Sequence, residues 1–362
     1  MNQQQTAERK AVRPVLIISK RTISLYSPLL ERLMVGLAGE SISAALVCPP
    51  DCDVDSMAYG PVEIIRHPAV SLPLMTRQNR KKLLQHLAAF KPTVLHCLCE
   101  AKSSLTRQLS RQLDLPYLLT VNSIRKKWRQ LSISSKRCAK IITPAKSIAA
   151  NIADAYPRFA DRIEQVNIGT FVEETTGCFS ATARLPGMIA AAHLGNESQF
   201  QNLLGAIKRM ATEGYQFLLF ITGVGRAETT LRKSITELGL SQFVIIIPEL
   251  KPWRTFLTAG DIFIQPAPSY DFNLLLLEAM SLGTAVAACR GGVDDLIIQG
   301  KTAVVFDPND ELSIKKTLQE LFDRREFARR LATGAQQYLR ENHTVTAMVS
   351  SILRIYSQAQ QR

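Results

Sequence analysis

DIFIQPAPSYDFNLLLLEAMSLGTAVAACRGGVDDLIIQGKTAVVFDPND, residues 261–310, decides how the rest of the chain is read. DIFIQPAP is a short apolar run of the kind that forms a buried strand, and LLLLEAMSLG predicts a helix closed by Gly283. The run AVAACR predicts the next strand, Gly291-Gly292 a turn, VDDLIIQG a further helix, and AVVFDPND a closing strand and loop. Strands that are apolar throughout, alternating with helices, are the signature of a parallel sheet covered on both faces.

The same alternation extends outward. Toward the amino terminus of this half lie GMIAAAHL, QFLLFITG (216–223) and FVIIIPE (243–249) as strands, with QNLLGAIKRMATEG and AETTLRKSITELG as helices. The first half repeats the pattern with VLIIS, AALVCP, VEIIRH, VLHCL, YLLTVN, KIITPA and IEQVNIG as strands. Helical segments such as RKKLLQHLAAF and SLTRQLSRQL separate several of them. Between the halves, residues 173–186 are small and polar without periodicity and read as a linker. The expected organisation is α/β with two doubly wound parallel-sheet domains at 1–172 and 187–342, and a last helical segment at 343–362.

With 362 residues, 46% hydrophobic and 21% charged, the chain has the size and composition of a two-domain globular protein. No apolar run approaches the ~20 residues that span a bilayer. The opening MNQQQTAERKAVRP lacks the apolar core of a secretory signal, so a cytoplasmic location is expected. Seven cysteines, five in apolar strand-like settings and Cys52 and Cys178 isolated in loops, with no second ligand pair near Cys97 and Cys99, point to reduced thiols rather than a metal site. The charge is lopsided: residues 1–185 hold 26 Lys and Arg against 14 Asp and Glu, the remainder 18 against 17. A first half at +12 beside a second at +1 suits an anionic partner, whether membrane surface, phosphorylated lipid or acidic glycan. A solvated basic surface is the plain alternative. Nucleic acid is not expected, because aromatic stacking residues do not accompany the cations.

The run from Asp261 to Asp310 closely resembles the nucleotide-sugar-binding half of the retaining, two-Rossmann-domain glycosyltransferases, the GT-B type of family 4 or group 1. TGVGRAETTLRKSITELGLSQFVIIIPEL is similar to that family's glycine turn, helix and strand, with Gly223 and Gly225 at the turn. VLHCLCEAKSSLTRQLSRQLDLPYLLTVN, IITPAKSIAANI and VNIG resemble its first-domain segments, so the likeness covers roughly residues 90–345. The resemblance implies two Rossmann-like domains facing a central cleft. It implies an acceptor on the first domain, a nucleotide sugar on the second, and a final helix that crosses back to the first. It also implies metal-independent hexosyl transfer with retention, so no cofactor is expected beyond the donor.

Residue by residue, Glu278 matches the second glutamate of the family's Glu-x7-Glu motif, which implies a contact with the ribose hydroxyls. A carboxylate suits a vicinal diol, since it accepts two hydrogen bonds. The first glutamate falls on Tyr270, and the two glycines after it on Asp271 and Asn273, while Phe272 and Leu274 are kept. Asn273 can still cap the helix, but Asp271 places a negative charge where the family presents amides to phosphate. The family's Gly-Arg-Leu and following Lys fall on Ala192, His193, Leu194 and Ser198, which forfeits roughly 3–6 kcal/mol of charge-assisted bonding to a diphosphate. Asn122 stands where the family often has a histidine beside the donor sugar. Asn122 and His193 are the candidate catalytic contacts. Lys20, Arg21 and Arg125, just after strand ends of the first domain, are candidates to supply the missing positive charge.

Two readings follow. One is a glycosyltransferase acting on a glycan, lipid-linked or membrane-associated acceptor. The other is a catalytically degenerate relative that binds a nucleotide sugar, glycan or partner without turnover. A nucleotide-sugar epimerase of similar build fits less well, because the strand ends of the first domain offer few carboxylates and histidines. Nucleotide, sugar, acceptor and oligomeric state are not readable from the residues.

Overall fold

The computed structural model describes residues 11–361 apart from 55–61, 69–72, 126–129, 181–183, 192–193, 196, 224 and 248–251. The chain divides into two units: one runs to Gly169 and resumes at Val345, the other is Thr170–Thr344.

In the first unit, seven strands pair in parallel: β1 (Pro14–Ile17), β2 (Ala44–Cys48), β3 (Val62–Arg66), β4 (Val94–Cys97), β5 (Tyr117–Thr120), β6 (Cys138–Thr143) and β7 (Ile163–Gln165). Their order across the sheet is β3-β2-β1-β4-β5-β6-β7, so the winding reverses between β1 and β4. All residues of β1, β2, β4 and β5 are buried, which is why those strands read as unbroken apolar runs. Helix α1 (Lys20–Gly39) follows β1, α2 (Pro73–Phe90) joins β3 to β4, α3 (Ser103–Leu113) joins β4 to β5, and α4 (Lys146–Ala155) joins β6 to β7. Right-handed crossovers place α2 and α3 on the same sheet face, opposite α1. Ser19 starts α1 through a capping box with Thr22, and the helix kinks at Tyr26 (φ −134°, ψ 25°) just before Pro28.

The second unit has six parallel strands: β8 (Gly187–Ala191), β9 (Leu218–Thr222), β10 (Val244–Ile247), β11 (Ile262–Gln265), β12 (Ala285–Ala288) and β13 (Val304–Val305). Their order is β10-β9-β8-β11-β12-β13, with the reversal between β8 and β11. Around them lie α5 (Ser198–Thr212), α6 (Glu228–Glu237), α7 (Trp253–Leu257), α8 (Leu274–Ser281), α9 (Glu311–Asp323) and α10 (Arg325–Asn342). Phe200, Leu203, Ile207, Leu219, Ile262 and Leu318 form part of one buried core, where each fully buried Leu, Ile or Phe contributes about 1.5–3 kcal/mol. The last helix, α11 (Val345–Gln360), belongs to the first unit and packs on α1. The doubly wound parallel-sheet architecture expected from the alternation is thus present in both units.

Two expectations need correction. Residues 293–300, expected as a helix, form turns. Their amides are claimed elsewhere: Val293 N donates to Ser269 O (2.6 Å) and Ile298 N to Thr302 Oγ1 (2.8 Å), leaving a single turn bond from Ile297 N to Asp294 O (2.8 Å). Residues 173–186, expected as a linker, are an integral part of the second unit in their described portion. Cys178 and Phe179 are 0% and 3% exposed in its core. The fully ordered carboxylate of Asp261 accepts from Phe179 N (2.7 Å), Gly187 N (2.8 Å) and both terminal nitrogens of Arg184 (2.8 and 3.0 Å). Small, aperiodic sequence conceals this role because the segment is held by backbone amides and one buried carboxylate, not by an apolar stripe.

Candidate functional site

In an open α/β sheet, ligands gather beyond the carboxyl ends of the strands near the reversal of winding. In the second unit that edge is built by four loops. The loop after β9 carries Gly223 and Gly225, and a Cβ on Gly225 would strike the carbonyl oxygen of Leu194 in the loop after β8. The loop after β11, residues 266–273, pairs with the loop after β12 through Ser269 and Gly292. Gly292 has φ 69°, and a Cβ there would strike the Ser269 carbonyl. Only glycine permits either close approach.

The loop after β11 delivers the chain to α8. Asn273 caps that helix, its Oδ1 accepting from Leu276 N (3.0 Å) and its Nδ2 donating to Gln265 Oε1 (2.9 Å). The amides of Leu274 and Leu275, in the first turn, have no partner within the helix and make its start a site for negative charge. Gln265 is 2% exposed, and its Nε2 has no hydrogen-bond partner. Tyr270 is 60% exposed, whereas Phe272 and Leu274 are buried beneath the loop. Ser198 is exposed as the first residue of α5. His193 lies outside the described residues.

Glu278, expected to contact the ribose hydroxyls, is enclosed by neighbouring side chains. It is 0% exposed, on the second turn of α8. Its Oε1 accepts from Thr170 Oγ1 (3.2 Å) and its Oε2 from Arg254 Nη1 (3.0 Å). Arg254 also donates to Ser281 Oγ (2.9 Å), Phe171 O (3.1 Å) and Glu173 Oε1 (2.6 Å). The carboxylate thereby ties α8 to α7 and to the first residues of the unit. Neither Arg254 nor Gln265 stood out in the sequence. The usable signals were a charged residue inside the apolar turn WRTFL and a polar one ending the buried strand IFIQ.

In the first unit, the edge beyond β4 and β5 carries a second polar group. Glu100 Oε1 accepts from Asn122 N (2.8 Å) and Ser123 Oγ (3.0 Å), and Asn122 Nδ2 donates to Leu98 O (3.2 Å). Asn122 is 3% exposed, and its Oδ1 has no hydrogen-bond partner. The nearby Cys99 thiol is pulled below the usual thiol range by its hydrogen bond with Cys97, against the opposing effect of burial, with further hydrogen bonds from Ser19 and Thr22. Lys20 is the first residue of α1, and its ammonium pairs with Asp51 (2.7 Å), whose hydrogen bond and charge raise its pKa. Arg125 is fixed through its backbone by Asn151, which accepts from Arg125 N (2.7 Å). Arg21 is exposed on the first turn of α1. Among the described residues, no three His, Cys, Asp or Glu side chains gather as metal ligands, all seven cysteines are free and buried, and no helix is long and apolar enough to cross a membrane.

Comparison with known proteins agrees with this geometry. Residues 185–338 match the model of the family described as glycosyl transferases group 1. A D-inositol 3-phosphate glycosyltransferase of Pseudarthrobacter chlorophenolicus is 28% identical over 206 residues, 51% of this chain and 48% of that protein. The sulfoquinovosyl transferase of Arabidopsis thaliana is 21% identical over 285 residues, 71% of this chain and 55% of that protein. The chain thus spans about half the length of these curated relatives. Among solved structures, a glycosyltransferase from Rickettsia africae has a TM-score of 0.80 at 12% identity, covering 98% of this chain and 100% of its own. An Anabaena protein solved with UDP and glucose has a TM-score of 0.79 at 14% identity, covering 96% and 99%. The fold is therefore that of the two-Rossmann-domain, GT-B type proteins, and residues 185–338 are similar to the group 1 glycosyl transferases.

Proposed function

We propose that the chain transfers a sugar, a hexosyl unit, from a nucleotide-sugar donor to an anionic glycan, lipid-linked or membrane-surface acceptor, with retention at the anomeric carbon. The observation that carries this reading is the start of α8: a capped helix end with two unspent amides, beneath an exposed Tyr270, inside the matched domain. Relatives solved with UDP and with UDP-glucose support a uridine nucleotide as the first donor to test. In this proposal the amides of Leu274 and Leu275 take the diphosphate, Gln265 Nε2 donates beneath the loop, and Tyr270 lies against the sugar or base. Glu278 serves by fixing α8 through Arg254 and Thr170 rather than by reaching the ribose.

The first unit supplies the acceptor side, where Asn122 Oδ1 is an unspent acceptor for a sugar hydroxyl. Lys20, Arg21 and Arg125 are proposed to provide positive charge that the second unit lacks at Ala192 and Ser198. Calorimetry with a panel of nucleotide diphosphates and their sugars, followed by a donor-hydrolysis assay, tests the proposal. Micromolar binding of one nucleotide with measurable hydrolysis of its sugar is expected. Binding without hydrolysis would assign the chain to the non-catalytic reading, and no binding at all would remove the donor site.

A further inference from the structure

We propose that the face formed by α2 and α3 of the first unit is a docking surface for anionic lipid headgroups. This goes beyond the transfer reaction and does not depend on it. Helix α2 carries Arg77, Arg80, Lys81 and Lys82, and α3 carries Arg107 and Arg111, with no Asp or Glu in either helix. The two helices lie side by side, joined by a hydrogen bond from Arg80 to Gln108 Oε1. Arg77, Lys81, Lys82, Arg107 and Arg111 are exposed.

The spacing of these charges is the telling feature. Arg77 and Lys81 are four residues apart, as are Arg107 and Arg111, so like charges sit on neighbouring turns, an arrangement that destabilises a helix. Helices of the second unit do the opposite. Arg232 pairs with Glu228 (2.8 Å), Lys233 with Glu237 (3.6 Å), Arg324 with Glu320 (2.7 Å) and Arg329 with Glu326 (3.1 Å). Among the described residues no ion pair involves any of the six α2–α3 cations. Of the nearby acids, Glu100 bonds Asn122 and Ser123, Asp114 pairs with Arg137 (2.6 Å), and Glu63, exposed on β3, lines the cavity beside α2 together with Lys82.

The face is built for surface attraction, not insertion. Its other exposed positions include Gln78, Gln85, His86, Ala88, Ala89, Ser104 and Gln112, and none of the exposed large hydrophobic side chains among the described residues lies on it. A cavity of about 630 Å³ between β3 and α2 opens beside it, with Arg66, His67, Asn79 and Lys82 among its lining residues. A face with six cations and no ion pair among the described residues, and without aromatic platforms, matches a plane of anionic headgroups better than a single-stranded nucleic acid, which needs stacking partners.

The test is sedimentation of the full chain with vesicles of phosphatidylcholine alone or mixed with phosphatidylglycerol. Binding is expected only to the mixed vesicles. It should fade as salt shortens the screening length from about 10 Å at 0.1 M to about 3 Å at 1 M. Each cation at such a surface is worth about fivefold in partitioning, so Arg77→Gln/Lys81→Gln/Lys82→Gln should weaken binding about a hundredfold. Adding Arg107→Gln/Arg111→Gln should abolish it. Removing as many cations from the second unit, by Lys233→Gln/Lys316→Gln/Arg324→Gln, should leave binding unchanged, and circular dichroism would confirm that all variants fold. Failure of the wild-type chain to bind mixed vesicles, equal binding by the α2 variant and the control, or tighter capture by RNA than by vesicles would each overturn the proposal.

Discussion

At the scale of single residues, Arg254 and Glu278 form a buried charge pair within the second unit. A carboxylate with 0% exposure has lost its hydration and depends on its partners. Removing one partner of such a pair costs about 3–5 kcal/mol, mostly because the remaining charge is left unpaired. Arg254→Met should therefore destabilise the second unit by about 3 kcal/mol, as read from urea unfolding. Adding Glu278→Gln should recover at least half of that loss, because the orphaned charge is then gone. The same Glu278→Gln substitution separates positioning from ligand contact. A carboxylate bound directly to the ribose would contribute about 1.5–3 kcal/mol, so its loss would weaken nucleotide binding at least tenfold. A change of less than threefold in calorimetry is expected, and a tenfold loss would return Glu278 to the ligand.

At the scale of elements, α11 shows how a remote segment is pinned to a sheet. His96, on β4, is 1% exposed, with Nδ1 2.7 Å from Tyr356 Oη on α11 and Nε2 2.8 Å from Thr120 Oγ1 on β5. With no acid among its partners, burial lowers the His96 pKa to about 3, against about 6.5 in an unfolded chain. The folded pKa lies below the unfolded one, so this contribution to stability is complete above about pH 6.5 and is lost as pH falls toward 3. Between about pH 6 and pH 4 the loss from this one group should be about 2–3 kcal/mol. Urea melts of the wild-type chain and of His96→Gln at both values would measure it, and equal pH slopes would contradict it. Tyr356→Phe removes the partner of Nδ1 and should cost about 1–3 kcal/mol without altering the fold. A buried histidine on a strand was visible in the sequence, but its partner 260 positions away was not. Strand runs identify themselves because nearly every residue of a covered parallel strand is apolar. Pairing across the fold leaves no such trace, and neither does the competition for amides that keeps residues 293–300 from forming a helix.

At the scale of the whole molecule, two doubly wound units were legible because the alternation of strand and helix recurs along both halves. The boundary between them was less so. A stretch of small polar residues at 173–186 reads as belonging to neither unit, whereas Thr170 opens the second one and Gly169 ends the first stretch of the other. Thr170 N donates to His343 O (2.8 Å), so the second unit is closed at its two ends by a bond between them. Glu173 N bonds Ser281 O (2.9 Å), Gln336 Nε2 bonds Glu173 O and Thr175 O (both 3.1 Å), and Arg184 holds Asp261. A fragment spanning 170–344 should consequently melt cooperatively. One spanning 187–344 loses Phe179, worth about 3–5 kcal/mol as a buried aromatic. It also strips Arg184 from Asp261, a carboxylate 2% exposed, at a further cost of about 3–5 kcal/mol. Their sum rivals the whole stability of an ordinary domain, about 5–15 kcal/mol, so the shorter fragment should lack a cooperative transition and its near-ultraviolet dichroism. Equal melting temperatures for the two fragments would show that residues 170–186 are a tether after all, and that Asp261 finds its charge balance without them.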